Sequence, residues 1–107
     1  MSILEKFENV SVVTKPNVYF DGKVVSYTVH FNDGKRKTLG IIFPGTYKFD
    51  TAAPEVMEII SGSTKVRLAG QSDWKTYESG SFFKIPEKWS FEITVEAGTA
   101  QYICSFE

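Results

Sequence analysis

At 107 residues the chain has the commonest size for one domain, and its 42% hydrophobic and 15% aromatic content is enough for one packed core. Twelve Lys and Arg against thirteen Asp and Glu leave a formal charge of −1, which argues against nucleic-acid binding by bulk charge and against a polybasic membrane anchor. No apolar run is long enough for a bilayer-spanning helix, so no membrane partner is expected. Glu5, Lys6 and Glu8 interrupt the N-terminal apolar residues, so no secretory signal is read there. Cys104 is the only cysteine and His30 the only histidine, which rules out an intrachain disulfide, a four-cysteine zinc site and any site of two imidazoles from one chain. A reduced, cytoplasmic setting is the expectation.

The β-branched content, with 10 Val, 8 Ile and 9 Thr against 3 Leu, suits pleated surfaces better than helices. Residues 1–18 stand apart as an N-terminal extension, with a suggestion of one helical turn at Ile3 to Phe7, then Val10, Val12 and Val13 before a break at Lys15-Pro16. A strand there can complete its own sheet or add to a partner's, and the expectation is a contact in a homodimer. Val25, Tyr27, Val29 and Phe31 then alternate with Val24, Ser26, Thr28 and His30, followed by an Asn32-Asp33-Gly34 turn and a return strand from Lys37 to Phe43. After Pro44-Gly45 come strands at Thr46 to Thr51, Val56 to Ser61 and Thr64 to Leu68, then a polar loop from Ala69 to Asp73. Trp74 to Tyr77, Phe82 to Ile85, Phe91 to Val95 and Gln101 to Phe106 complete the series. So many short strands with regular turn signals predict one all-β domain over 19–107, a sandwich or closed barrel.

Glu55-Val56-Met57-Glu58-Ile59-Ile60-Ser61-Gly62 resembles the end of the first cupin motif, and Gly80-Ser81-Phe82-Phe83-Lys84-Ile85-Pro86 the start of the second. Together they imply a single-domain cupin, a small jelly-roll type β-barrel. In metal-binding cupins two histidines separated by one residue precede the Glu. Here the corresponding positions are Phe49 and Thr51, and the second-motif histidine falls at Phe91, so only Glu55 of four ligands is left and no metal site is implied. A longer series is similar to the pyrimidine/purine nucleoside phosphorylases of bacteria: Phe20-Asp21-Gly22-Lys23-Val24, Gly45-Thr46-Tyr47-Lys48-Phe49, Thr51-Ala52-Ala53-Pro54-Glu55-Val56-Met57, Asp73-Trp74, Tyr77-Glu78-Ser79-Gly80 and Tyr102-Ile103-Cys104. That resemblance implies a pentosyltransferase that needs no cofactor, takes inorganic phosphate as co-substrate and releases a free base and a pentose 1-phosphate.

Such chemistry needs phosphate donors, groups that hold a ribose whose anomeric carbon gains positive charge, and a surface for the base. Glu55 is the catalytic candidate, placed in the barrel by the cupin alignment; its plain alternative is a structural Glu bonded to a neighbour. Tyr47, Phe49, Thr51, Met57 and Phe91 are the substrate-binding candidates; for Tyr47, Phe49, Met57 and Phe91 taken singly, plain core is the favoured reading, while Thr51 offers a hydroxyl donor pointing into the barrel. Arg36 and Ser61 are the phosphate candidates, although Arg36 also reads as part of a solvated Lys35-Arg36-Lys37 loop. Arg67 reads as an outward strand residue, His30 as a surface residue, Cys104 as a buried apolar one, and Glu58 as pointing away from Glu55. A non-catalytic cupin that binds a small sugar or nucleotide stands as the alternative.

Overall fold

The structure is a computed structural model that describes residues 5–107. It consists of eleven strands: β1 (Ser11–Val12), β2 (Asn17–Tyr19), β3 (Val24–His30), β4 (Arg36–Ile42), β5 (Gly45–Asp50), β6 (Glu55–Ser61), β7 (Ser63–Leu68), β8 (Lys75–Glu78), β9 (Phe82–Ile85), β10 (Ser90–Val95) and β11 (Ala100–Phe106). They form two antiparallel sheets. The larger runs β1-β3-β4-β11-β6-β9 with β2 also on β3, and the smaller runs β5-β10-β7-β8. The sheets face each other in a cupin-like barrel, as the turn spacing predicts. The helical turn suggested at Ile3 to Phe7 lies partly outside the described residues, and Glu5 to Phe7 carry no helix. Among the described residues no helix is long and apolar enough to cross a membrane.

Local chemistry explains the connections. The β3–β4 hairpin turns at Asp33-Gly34, where the Lys35 N–H donates to Asp33 Oδ1 at 2.9 Å and Gly34 takes a φ of 86°. Between β2 and β3 the chain reverses through three successive left-handed residues, Phe20 (φ 52°), Asp21 (φ 56°) and Gly22 (φ 88°). Left-handed backbone is unusual for a bulky aromatic, so this turn carries strain. Both β1 and β2 pair with β3 of their own chain, which ties residues 11–19 into the larger sheet.

Ile42, Ile59, Ile85, Ile93, Val24, Val66 and Val95 are fully buried between the sheets. Each such side chain stabilises the fold by about 1.5–3 kcal/mol relative to exposure. The alternation in β3 has its polar face inward. Val24 and Ser26 are buried, whereas Tyr27 is 43% exposed on the outside. An apolar core alone would not place Ser26 there; the reason is a partly polar cavity at one end of the barrel.

Candidate active site

The cavity lies at the end of the barrel where β6 begins and β11 finishes, and encloses about 180 Å³. Its floor and one wall come from four strands of the larger sheet in register, β3, β4, β11 and β6. Tyr102 of β11 sits opposite Gly40 of β4, which sits opposite Ser26 of β3. One row nearer the mouth, Cys104 opposes both Thr38 and Met57. The next row places Phe106 opposite Glu55. Every second residue on a strand shares a face, so these rows bring Ser26, Thr38, Glu55, Met57, Tyr102, Cys104 and Phe106 into one cavity.

The facing wall is aromatic. Phe49 of β5 pairs with Phe91 of β10, and the two rings stack at 5.7 Å and 24°. Tyr19, at the end of β2, meets Phe49 edge-on at 5.9 Å and lines the cavity, as does Asp50. Offset and edge contacts of this kind leave ring faces and edges available to a flat ligand.

Glu55 accepts a hydrogen bond from the Cys104 thiol, Sγ to Oε1 at 3.4 Å. Burial raises the Glu55 pKa above the ordinary carboxylate value, and the Cys104 bond and the Arg36 charge partly offset that rise. Burial likewise pushes the Cys104 thiol far up, with the neighbouring Glu55 adding to it. Tyr102 is raised for the same leading reason, while the Ser26 hydroxyl beside it pulls the other way. The cavity therefore favours the protonated forms of three weak acids on two adjacent strands. Arg36 is exposed at the start of β4, its guanidinium carbon 4.0 Å from the centroid of the Phe106 ring, and its charge reaches Glu55 and Cys104. It stands at the cavity rim, not out in the β3–β4 loop.

The residues singled out from sequence divide into two groups. Glu55, Phe49, Met57 and Phe91 line the cavity together, with Arg36 at its edge. Tyr47 is buried below it, and its hydroxyl donates to the carbonyls of Phe43 and Pro44 at 2.8 and 2.9 Å. The Thr51 hydroxyl donates to the Pro86 carbonyl at 2.6 Å and accepts from the Trp89 N–H at 3.0 Å, so it joins the start of the β5–β6 connection to the β9–β10 loop. Ser61 is at the far end of β6 from Glu55, about 20 Å away at about 3.3 Å per residue, and bonds Gln101 Oε1 at 3.2 Å. The structure does not bring Tyr47, Thr51 or Ser61 to the cavity.

Tyr19, Ser26, Thr38, Tyr102 and Phe106 are cavity residues that sequence reasoning passed over. The available signal was Gly40, an isolated glycine inside a strand, which marks close approach by another group. Arg67 is paired with Glu92 at 2.7 Å and lies 4.7 Å from the Trp74 ring, while His30 is exposed. Glu58 faces away from Glu55 as alternation requires, yet it is buried on that other side. Among the described residues no three His, Cys, Asp or Glu side chains gather to hold a metal ion.

Comparison with known proteins identifies the family. Residues 14–106 match the family model for pyrimidine/purine nucleoside phosphorylase. A protein of that name from Cupriavidus necator is 55% identical over 103 residues, covering 96% of this chain and 97% of its own. One from Thiobacillus denitrificans is 50% identical, covering 96% and 99%. A crystal structure of a protein of unknown function from Acinetobacter sp. ADP1 superposes with a TM-score of 0.92 at 39% identity, covering 95% of this chain and 98% of that one. The chain belongs to the pyrimidine/purine nucleoside phosphorylase family.

Proposed function

We propose that the protein cleaves nucleosides with inorganic phosphate, without a metal or organic cofactor, at the cavity built around Glu55. The observation that carries this reading is the placement of one half-buried carboxylate between an aromatic wall and a rim arginine. A volume of about 180 Å³ lies below the roughly 300–1,000 Å³ of sites that engulf a whole drug-sized ligand. The enclosed space suits a base and part of its sugar, which leaves the anomeric carbon near the mouth, where phosphate can approach.

In this reading the base packs against Phe49, Phe91 and Tyr19. Glu55 holds ribose hydroxyls and, as a carboxylate, favours the positive charge that grows at C1′. Hydrogen phosphate, drawn by Arg36, forms the new C1′–O bond. The electron pair of the C1′–N bond leaves with the base, and the proton first carried by hydrogen phosphate ends on that base. Products are the free base and a pentose 1-phosphate.

The test is base release from a nucleoside panel with and without phosphate, using protein treated with a chelator. Release that needs phosphate and survives chelation supports the reading. Binding with no release moves the protein to a ligand-binding cupin. The reading includes a homodimer in the cytoplasm, supported by an apolar strip of Val25, Tyr27, Leu39, Ile41 and Ile60 on the outer face of the larger sheet. Sedimentation velocity checks it, and a monomer at micromolar concentration removes the dimer.

A further inference from the structure

We propose that Tyr102 is the residue that reads the nucleobase, its hydroxyl laid across Gly40 to stand with Ser26 as a pair of hydrogen-bonding rotors on the cavity floor. The placement is built into the sheet. A Cβ on Gly40 would sit 2.2 Å from Tyr102 Cζ and 2.5 Å from its hydroxyl oxygen, so only a bare backbone at this position lets the ring cross β4. The ring passes from β11 over β4 and reaches the β3 residue in the same cross-strand row, Ser26. Ser26 is in turn held by Asn17 of β2, whose amide donates to its Oγ at 3.2 Å and to Thr28 Oγ1 at 3.1 Å. Three strands and one absent side chain thus fix a phenol that is 7% exposed and opens on the cavity.

Distance gives the floor its partner. Tyr102 and Phe106 are four residues apart on β11, about 13 Å along the strand at about 3.3 Å per residue. Glu55 and Arg36 stand at the Phe106 end. A ligand whose reacting carbon lies by Glu55 therefore extends its far end toward Tyr102, and in a nucleoside that far end is the base. Hydroxyls both donate and accept, so the same two groups satisfy a carbonyl or an exocyclic amine by rotation. A donor there also stabilises the negative charge that collects on a departing base.

This inference rests on the nucleoside reading of the cavity, and its test separates the two. Tyr102→Phe keeps the ring and removes only the hydroxyl. For uridine, cytidine, inosine and adenosine, kcat/KM should fall roughly five- to ten-fold, the scale of one neutral hydrogen bond, with the KM for phosphate unchanged. Calorimetric binding of the same nucleosides without phosphate should weaken by a similar factor. Gly40→Ala displaces the ring and should lose more than Tyr102→Phe; if that variant does not fold, Tyr102→Phe decides alone. Unchanged nucleoside binding and kcat/KM in Tyr102→Phe overturns the inference and leaves the phosphorylase reading standing. Binding that depends on Tyr102 in a protein that phosphate does not activate sinks the phosphorylase reading and keeps the inference.

Discussion

The Cys104 thiol donates to Glu55 Oε1 at 3.4 Å, across the β11–β6 pair that also brings Cys104 opposite Met57. A thiol is a weak donor, and among the described residues it is the one side-chain hydrogen bond to the Glu55 carboxylate. Its removal leaves burial less opposed. Cys104→Ala should raise the Glu55 pKa further and move the acid limb of the pH–kcat profile to higher pH, whereas Cys104→Ser, which keeps a donor, should restore it. Superimposable pH profiles for all three proteins would detach the thiol from Glu55.

Glu55→Gln separates stability from activity. Turnover should fall by roughly ten-fold or more, because Gln cannot supply the negative charge. Stability should move the other way. Since the folded-state pKa is raised by burial, the stability this group contributes is fully present below its unfolded pKa and is lost as pH rises through the folded one. Above that folded-state pKa the wild type carries a carboxylate that burial penalises and the amide does not. Thermal melts should therefore place Glu55→Gln above wild type at neutral pH, with the gap closing under acid. A lower melting temperature at neutral pH would mean that the carboxylate is better accommodated than its burial implies.

Arg36 stacks on Phe106 at the rim, and Arg36→Ala should raise the KM for phosphate more than the KM for the nucleoside, by about ten-fold or more against less than about three-fold. Arg36→Lys keeps the charge but not the planar fork and should fall between them. Equal changes in both constants would leave Arg36 without a role in holding phosphate.

Thr51→Val tests the opposite kind of residue. The substitution keeps the shape and deprives the Pro86 carbonyl and the Trp89 N–H of their partner. Unfolding free energy should drop by about 1–3 kcal/mol in urea titrations, while kcat/KM per folded molecule holds. A selective loss of kcat/KM at full stability would place Thr51 in the site after all.

Strands and turns were legible because their signals are local. Asp33-Gly34 and the alternation from Val24 to Phe31 speak for themselves within a few residues. Which face of β3 points inward was not legible, since Ser26 and Thr28 look like a solvent face until a polar cavity is known to lie beneath them. The site was readable along single strands and unreadable across them. Glu55, Phe49 and Phe91 came from the resemblance to the cupin motifs and Met57 from the apolar set beside them, whereas Tyr102 and Ser26 meet only through a cross-strand row at Gly40, and register between distant strands leaves no mark in a linear chain. Thr51 and Tyr47 fall outside the cavity for a related reason. A buried hydroxyl must find a partner, and both found backbone carbonyls nearby before any ligand.

The order of assembly follows from β11. This strand is the last of the eleven to be synthesised, yet it occupies the middle of the larger sheet, between β4 and β6. Until residues 100–106 arrive, β4 and β6 are two unjoined edges, and the halves of the cavity wall that carry Arg36 and Glu55 have nothing between them. Closing that gap means pairing segments far apart along the chain, the kind of contact that makes β proteins fold slowly and in one late, cooperative step. A nascent chain that stops short of β11 therefore exposes two pairing edges at once, and shielding them during synthesis falls to whatever holds the chain.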